Sequence, residues 1–146
     1  MQSFDKLRTN GLDGKGQVAI DQIAFQSIFA HASDAVPHEC CGLLLGENGA
    51  ITHTQPTANV HPDPERHFEI DPKALIAAHK AERAGGPQVI GYYHSHPTGD
   101  PEPSATDRTQ AAHDGKVWAI VAQNEIRFFR DGEEGFAALS YRVLPR

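Results

Sequence analysis

The segment QVIGYYHSHPTGDPEPSATD, residues 88 to 107, leaves the chain few ways to fold. Its first half is rich in β-branched and aromatic residues, so a strand is expected over 88 to 96. Pro97 ends that strand because proline has no N–H for the ladder, and Pro101 and Pro103 restrict the loop that follows. Ser104 then caps a helix over SATDRTQAAHD, with Asp107 in its first turn and Gly115 just past its end. A strand must therefore hand over to a helix through a stiff loop. Residues i and i+2 of a strand share a face, so the imidazoles of His94 and His96 aim at one spot where the strand ends. Two neutral imidazoles facing one point are a natural pair of zinc ligands, and a carboxylate at Asp107 can reach back as a third. Three protein ligands plus a water describe a catalytic zinc site, whereas structural zinc takes four protein ligands. Spacing alone leaves a plainer reading open. A His-x-His pair arises by chance in a chain with 9 histidines. Ser104 and Asp107 also approximate a capping box, in which a first-turn acid suits the helix dipole.

The remaining sequence reads as strands and helices in one layer-packed α/β or α+β domain. Residues 1 to 16 are polar and rich in Gly, Asp and Asn, and read as a flexible tail. QVAI, 17 to 20, is a short strand. Asp21 caps a following helix whose apolar residues Ile20, Ile23, Ala24 and Ile28 recur at helical spacing, and Pro37 stops anything helical beyond it. ECCGLLLGENG, 39 to 49, is a buried strand closed by an Asn-Gly turn, and ITHTQPTANV is a second, less apolar strand. HPDPER is a proline-stiffened loop, and HFEI runs on to Asp71-Pro72, a cap followed by proline at the first helical position. That helix ends at Gly85-Gly86, and KVWAIVAQ, EIRFFR and FAALSYRV close the chain as three strands joined by short turns.

With 146 residues the chain can bury a core without disulfides. The only cysteines, Cys40 and Cys41, are adjacent and so poorly placed to bridge, which suits a reducing compartment. On a strand they point to opposite faces, so at least one belongs to the core. No apolar leader and no membrane-spanning stretch is seen, so a cytoplasmic location is expected. A net charge of −6 with no basic cluster argues against nucleic acid as a partner.

His94-Ser95-His96-Pro97, six residues, Ser104, two residues, Asp107 resembles the JAMM motif of the MPN+ metalloproteases, H-[ST]-H-P-x6-S-x2-D, at every specified position. The family's upstream glutamate before a strand has its counterpart in Glu39 of PHECCGLLLG, and VIGYYHSHP resembles the family's strand. The likeness covers residues 17 to 143. It implies an α/β fold, a single MPN domain over 17–146 with a curved mixed β-sheet flanked by helices, similar to the cytidine-deaminase fold. It implies one Zn²⁺ per chain with a bound water, held by His94, His96 and Asp107. Glu39 would be the general base, and Ser104 would stabilise the oxyanion. The chain lacks room for the insertions of the large ubiquitin-specific members and resembles the small bacterial type. That points to hydrolysis of the bond after the C-terminal glycine of a ubiquitin-like or sulfur-carrier protein, whose Gly-Gly tail would add as a strand at a sheet edge beside the zinc. Sheet edges also make a homodimer an option. A metal-free MPN scaffold is the alternative, and the intact residue set argues against it. A zinc deaminase would need Cys-x-x-Cys beside His-x-Glu, and the chain has neither.

Smaller expectations concern single residues. His67 and Phe68 would line the substrate groove. One of Tyr92 and Tyr93 would be core, as would Trp118. His113 would sit near the end of the motif helix as a C-terminal cation and not as a ligand.

Overall fold

The computed structural model describes residues 16–146. The tail expected over 1–16 therefore lies, but for Gly16, outside the described residues. In chain order the elements are β1 (Gln17–Asp21), α1 (Gln22–Ala35), β2 (Cys41–Glu47), β3 (Ala50–Thr57), α2 (Pro72–Arg83), β4 (Gln88–Ser95), α3 (Ala105–Gln110), β5 (Val117–Ala122), β6 (Glu125–Gly132) and β7 (Gly135–Leu144). The caps that the sequence marks are formed. Asp21 accepts from the Ile23 and Ala24 N–H groups, Asp71 accepts from Lys73 N–H, and Ser104 accepts from Asp107 N–H.

The strands form one mixed sheet in the order β1-β3-β2-β4-β5-β6-β7, closed by β1. β1 runs parallel to β7 from Gln17 to Asp21 and meets β3 at Ile20–Ile51. β4 and β5 are also parallel, and the remaining pairs are antiparallel. The curved sheet anticipated from the sequence thus curls into a barrel. Two register shifts drive the curl, between Leu45 and Gly46 on the β3 side of β2 and between Leu44 and Leu45 on its β4 side. A bulge bends its strand and strengthens the local twist.

On one face of the curled sheet, α1 buries Ala24 and Ile28 against Val18, Ile20, Leu44, Tyr93 and Phe128. On the other face of the sheet, α2 lays Ala78 and Leu75 on Cys41, Leu43, Ile70 and Val89. Cys40 belongs to the first cluster and Cys41 to the second, so the adjacent thiols face opposite ways and both are core. Tyr93 is fully buried, and Trp118 is 6% exposed.

Three details differ from the sequence reading. β3 stops at Thr57, and beyond it only an isolated bridge, Asn59–Ile70, remains. α3 stops at Gln110, well short of Gly115. His113 is therefore not a helix residue; it has a positive φ of 57°. A tertiary tie ends the helix early: His113 N–H donates to Asp131 Oδ2 at 3.0 Å, and its Nδ1 lies 2.9 Å from Gly132 O. Finally, β4 is flanked on both sides, pairing His94 with Cys41 and with Ile120. A substrate tail has no free edge to join on the strand that carries the histidines.

Candidate active site

β4 delivers His94 in its last turn of pleat, and His96 follows just beyond the strand, its N–H bonded to Val121 O at 2.9 Å. α3 delivers Asp107. Three atoms converge: His94 Nε2 and His96 Nε2 lie 3.0 Å apart, and Asp107 Oδ2 lies 3.1 Å from the first and 3.2 Å from the second. His96 Nδ1 is 2.7 Å from Asp100 O, a carbonyl that can only accept. The neutral ring therefore keeps its hydrogen on Nδ1 and turns a bare lone pair on the other two atoms. With that ring neutral, at most one proton, that of His94, is left to serve three basic atoms; burial opposes a second proton on His96, but the Asp107 carboxylate and the Asp100 carbonyl outweigh it and raise the His96 pKa. A cation resolves that crowding. Zinc bonds of about 2.0–2.1 Å in a tetrahedron set ligand atoms about 3.3 Å apart, close to the observed triangle, and two imidazoles with a carboxylate are a donor set zinc accepts.

The capping-box and ligand readings of Asp107 are compatible. Asp107 Oδ2 accepts the Ser104 N–H at 2.9 Å and Ser104 Oγ accepts the Asp107 N–H at 3.0 Å, while that same Oδ2 faces both histidines. The box orients the carboxylate. Burial works to raise the Asp107 pKa, but the facing His94 and His96 rings and the Ser104 N–H bring it well below the usual carboxylate range. Burial lowers that of His94. Ser104 is exposed at the rim. Its oxygen takes the Asp107 N–H, which leaves its own hydrogen free to donate.

Glu39 comes from the loop before β2 and is 7% exposed. One carboxylate oxygen lies within 4.8 Å of ring nitrogens of both His94 and His96. Burial pushes the carboxyl up to about 7; His96 opposes the rise and Asp107 adds to it. A group so poised can take and return a proton near neutrality.

Sequence reasoning missed the residues that hold Glu39. Ser95 is 3% exposed and accepts the Cys40 N–H on Oγ at 2.8 Å, while its own N–H reaches Cys40 O at 3.1 Å. The alternation of a strand carried the signal. A hydroxyl between two histidines must face the opposite, buried side and needs a partner there. Asn59 is the second missed residue: its Nδ2 donates to Glu39 O at 3.0 Å.

A cavity of about 530 Å³ opens from this cluster. Glu39, Ser104 and Asp107 line it, as do His67 and Phe68, and Trp118 and Leu75 extend its apolar part. Phe68 stacks on His94, with ring centroids 4.1 Å apart and planes at 20°, and Trp118 stands edge-on to the same imidazole at 5.7 Å. Trp118 is thus core and cavity wall at once. The thiols take no part: burial pushes Cys40 up to about 11 and Cys41 upward, so both stay protonated near neutrality. His113 stays outside the cluster. Among the described residues no helix is long and apolar enough to cross a membrane.

A closed mixed sheet that brings two strand-end histidines and a helix-borne aspartate together beside a buried glutamate defines a mixed α/β domain built around a metal-type cluster. Residues 21–132 match the family of prokaryotic homologs of the JAB domain, and the chain belongs to this branch of the JAMM/MPN family. It is 39% identical over 105 residues to a desampylase of Haloferax volcanii, a match spanning 68% of this chain and 76% of that protein. It is 38% identical over 82 residues to a probable TtuB-protein conjugate cleaving protease of Thermus thermophilus, spanning 56% and 55% of the two chains. The solution structure of a Desulfitobacterium hafniense protein superposes with a TM-score of 0.76 at 26% identity, over 88% of this chain and 93% of that one. A JAB1/MPN domain protein of Archaeoglobus fulgidus shares the fold at a TM-score of 0.56 and 20% identity, over 85% and 98%.

Proposed function

We propose that the chain is a zinc-dependent peptidase or isopeptidase that hydrolyses the bond after the C-terminal glycine of a ubiquitin-like or sulfur-carrier protein. The observation that carries this reading is the triangle of His94 Nε2, His96 Nε2 and Asp107 Oδ2, 3.0–3.2 Å on a side, beside the buried Glu39 carboxyl. The names of the relatives, a desampylase and a conjugate-cleaving protease, support the substrate class.

His94, His96 and Asp107 would hold the ion. A zinc ion there supplies Lewis acidity toward a substrate carbonyl and a water. Glu39 takes the proton from the attacking water and passes it to the departing amine; a carboxyl raised to about 7 can do both. The Ser104 hydroxyl donates to the oxyanion that develops on the carbonyl. Asp107 stays ionised, and the Ser104 N–H fixes its orientation. Phe68 and Trp118 hold the His94 ring between apolar surfaces and keep water from that side. The extended tail lies in the cavity, and glycines at its end pass the cluster without side chains to clash.

Elemental analysis of wild type and His96→Ala, paired with cleavage of a ubiquitin-like protein conjugated through Gly-Gly to a lysine, tests this. Wild type should carry about one zinc per chain and His96→Ala little. Glu39→Gln should keep its zinc and lose about 10²- to 10⁴-fold in turnover. A Glu39→Gln variant of near wild-type rate would overturn the mechanism. A zinc-free, inactive wild type would favour a scaffold.

A further inference from the structure

Glu39 stands outside the β2 ladder, so its main chain is held by other groups. Its N–H donates to Pro64 O at 2.7 Å. Its carbonyl accepts from Asn59 Nδ2, and the same nitrogen donates to His67 O at 3.0 Å. On the other side of the amide, Asn59 Oδ1 accepts from His61 N–H at 3.1 Å and from Glu69 N–H at 3.0 Å. One side chain thus uses both donors and both acceptor positions. Its partners fall into two groups: the main chain of Glu39, and three residues of the cavity wall, His61, His67 and Glu69. Asn59 is itself fixed by its bridge to Ile70 and by the neighbouring Val60 N–H, bonded to Glu69 O at 3.0 Å.

The metal-type cluster is anchored differently. β4 and β5 hold His94, the Val121 carbonyl holds His96, and the Ser104 cap holds Asp107. From Cys40 onward the chain is tied to β4 through Ser95, whereas both main-chain bonds of Glu39 go to segment 59–69. The peptide joining Glu39 to Cys40 is therefore held from two sides, its N–H by Ser95 of the histidine strand and its carbonyl by Asn59. The first tie fixes Cys40 against β4, and the second, with the Pro64 carbonyl, fixes Glu39 against the 59–69 segment.

Resting on the hydrolase reading above, we infer that Asn59 is a positioning residue for Glu39. Its amide sets where the Glu39 carboxyl stands relative to the His94–His96–Asp107 cluster and locks that placement to the wall along which the substrate tail lies. It touches neither the reacting atoms nor the ion. Its effect passes through Glu39, and small misplacements of a reacting group are costly in rate.

The test uses the full chain, loaded with zinc, in single-turnover cleavage of a ubiquitin-like protein joined through Gly-Gly to a lysine, with zinc content and thermal midpoint read on every variant. Asn59→Ala removes all four bonds. Asn59→Asp keeps the size and the two acceptor bonds but turns an oxygen on the carbonyls of Glu39 and His67. Both should retain wild-type zinc content and lose about tenfold or more in single-turnover rate. In a Glu39→Gln background, the same two substitutions should change the residual rate less than about twofold. If Asn59→Ala fails to fold, Asn59→Asp decides alone. Equal fold-losses in the two backgrounds would make Asn59 a plain fold staple and overturn the inference, as would a zinc-loaded Asn59→Asp of wild-type rate. A wild type that holds no zinc and cleaves nothing would remove this inference together with the proposed function, an outcome distinct from any Asn59-specific result.

Discussion

Gly91 lies on β4, three residues before His94, and is register-paired with Val117 of the parallel strand β5. A Cβ at position 91 would stand 1.7 Å from Val117 O, 2.6 Å from its carbonyl carbon and 2.8 Å from its nitrogen. Real Cβ atoms essentially never approach closer than 3.0 Å, so the carbonyl would have to retreat by at least 3.0 − 1.7 = 1.3 Å. No rotamer change can relieve this, because the obstacle is main chain. Val117 is 2% exposed and paired with Arg130 of β6 on its far side, so a retreat compresses the next ladder. Overpacking a core costs about 1–3 kcal/mol, and a clash with paired backbone belongs at or above the top of that range. At about 2–4 °C per kcal/mol for a chain of this size, Gly91→Ala should lower the thermal midpoint by roughly 10 °C. Gly85→Ala is the control. Gly85 has a φ of +96° past the end of α2 and nothing within 4 Å of a built Cβ, so only the left-handed backbone penalty of about 1–2 kcal/mol applies. Thermal unfolding followed by circular dichroism compares the two, and elemental analysis should find reduced zinc only in Gly91→Ala, whose clash pivots the histidine strand. A Gly91→Ala midpoint within about 2 °C of wild type, or a fall no larger than that of Gly85→Ala, would refute the idea that close approach of β4 and β5 fixes this pair.

Two further outcomes follow from the site. Ser95→Ala strands the buried Cys40 N–H and should cost about 1–3 kcal/mol in urea unfolding, with zinc content unchanged because the hydroxyl faces away from the cluster; an unmoved urea midpoint would show that Cys40 finds another acceptor. Stripping the metal with a chelator should lower the wild-type midpoint by roughly 5–10 °C, since a ligand at a hundred times its Kd stabilises by about 2.7 kcal/mol, and that shift should vanish in His96→Ala. A wild type indifferent to chelator would count against a resident ion.

The parts of this molecule that were legible in the sequence are those whose partners are close along the chain. Asp21, Asp71 and Ser104 cap the helices they precede because each bonds an N–H two or three residues on. His94, His96, Ser104 and Asp107 fall within one short stretch whose prolines limit where the ends can go. The geometry of that group is largely imposed by the covalent chain. Where partners are remote, the reading ran out. The bulges that close the barrel depend on which strands meet across β2, and α3 is cut short by Asp131 and Gly132, residues with no local mark as helix stops. Phe68 lines the cavity as its position suggests, but its stacking on His94, distant in the chain, has no local mark.

Glu39 is the instructive case. Its own neighbourhood, an acid before an apolar strand, would not separate it from a solvated edge residue; only its likeness to a family glutamate singled it out. Its raised pKa comes from burial, with His96 opposing and Asp107 adding to the rise, and its main chain is held by the 59–69 segment, all groups distant in sequence. Asn59, read in sequence, is one more polar residue after a strand, and its importance appears only when all four bonds of its amide are traced to their ends. Chain-local spacing can therefore bring the proposed ligands together. The placing of the proposed base against them depends on the fold, where Ser95 and Asn59 hold the main chain around Glu39.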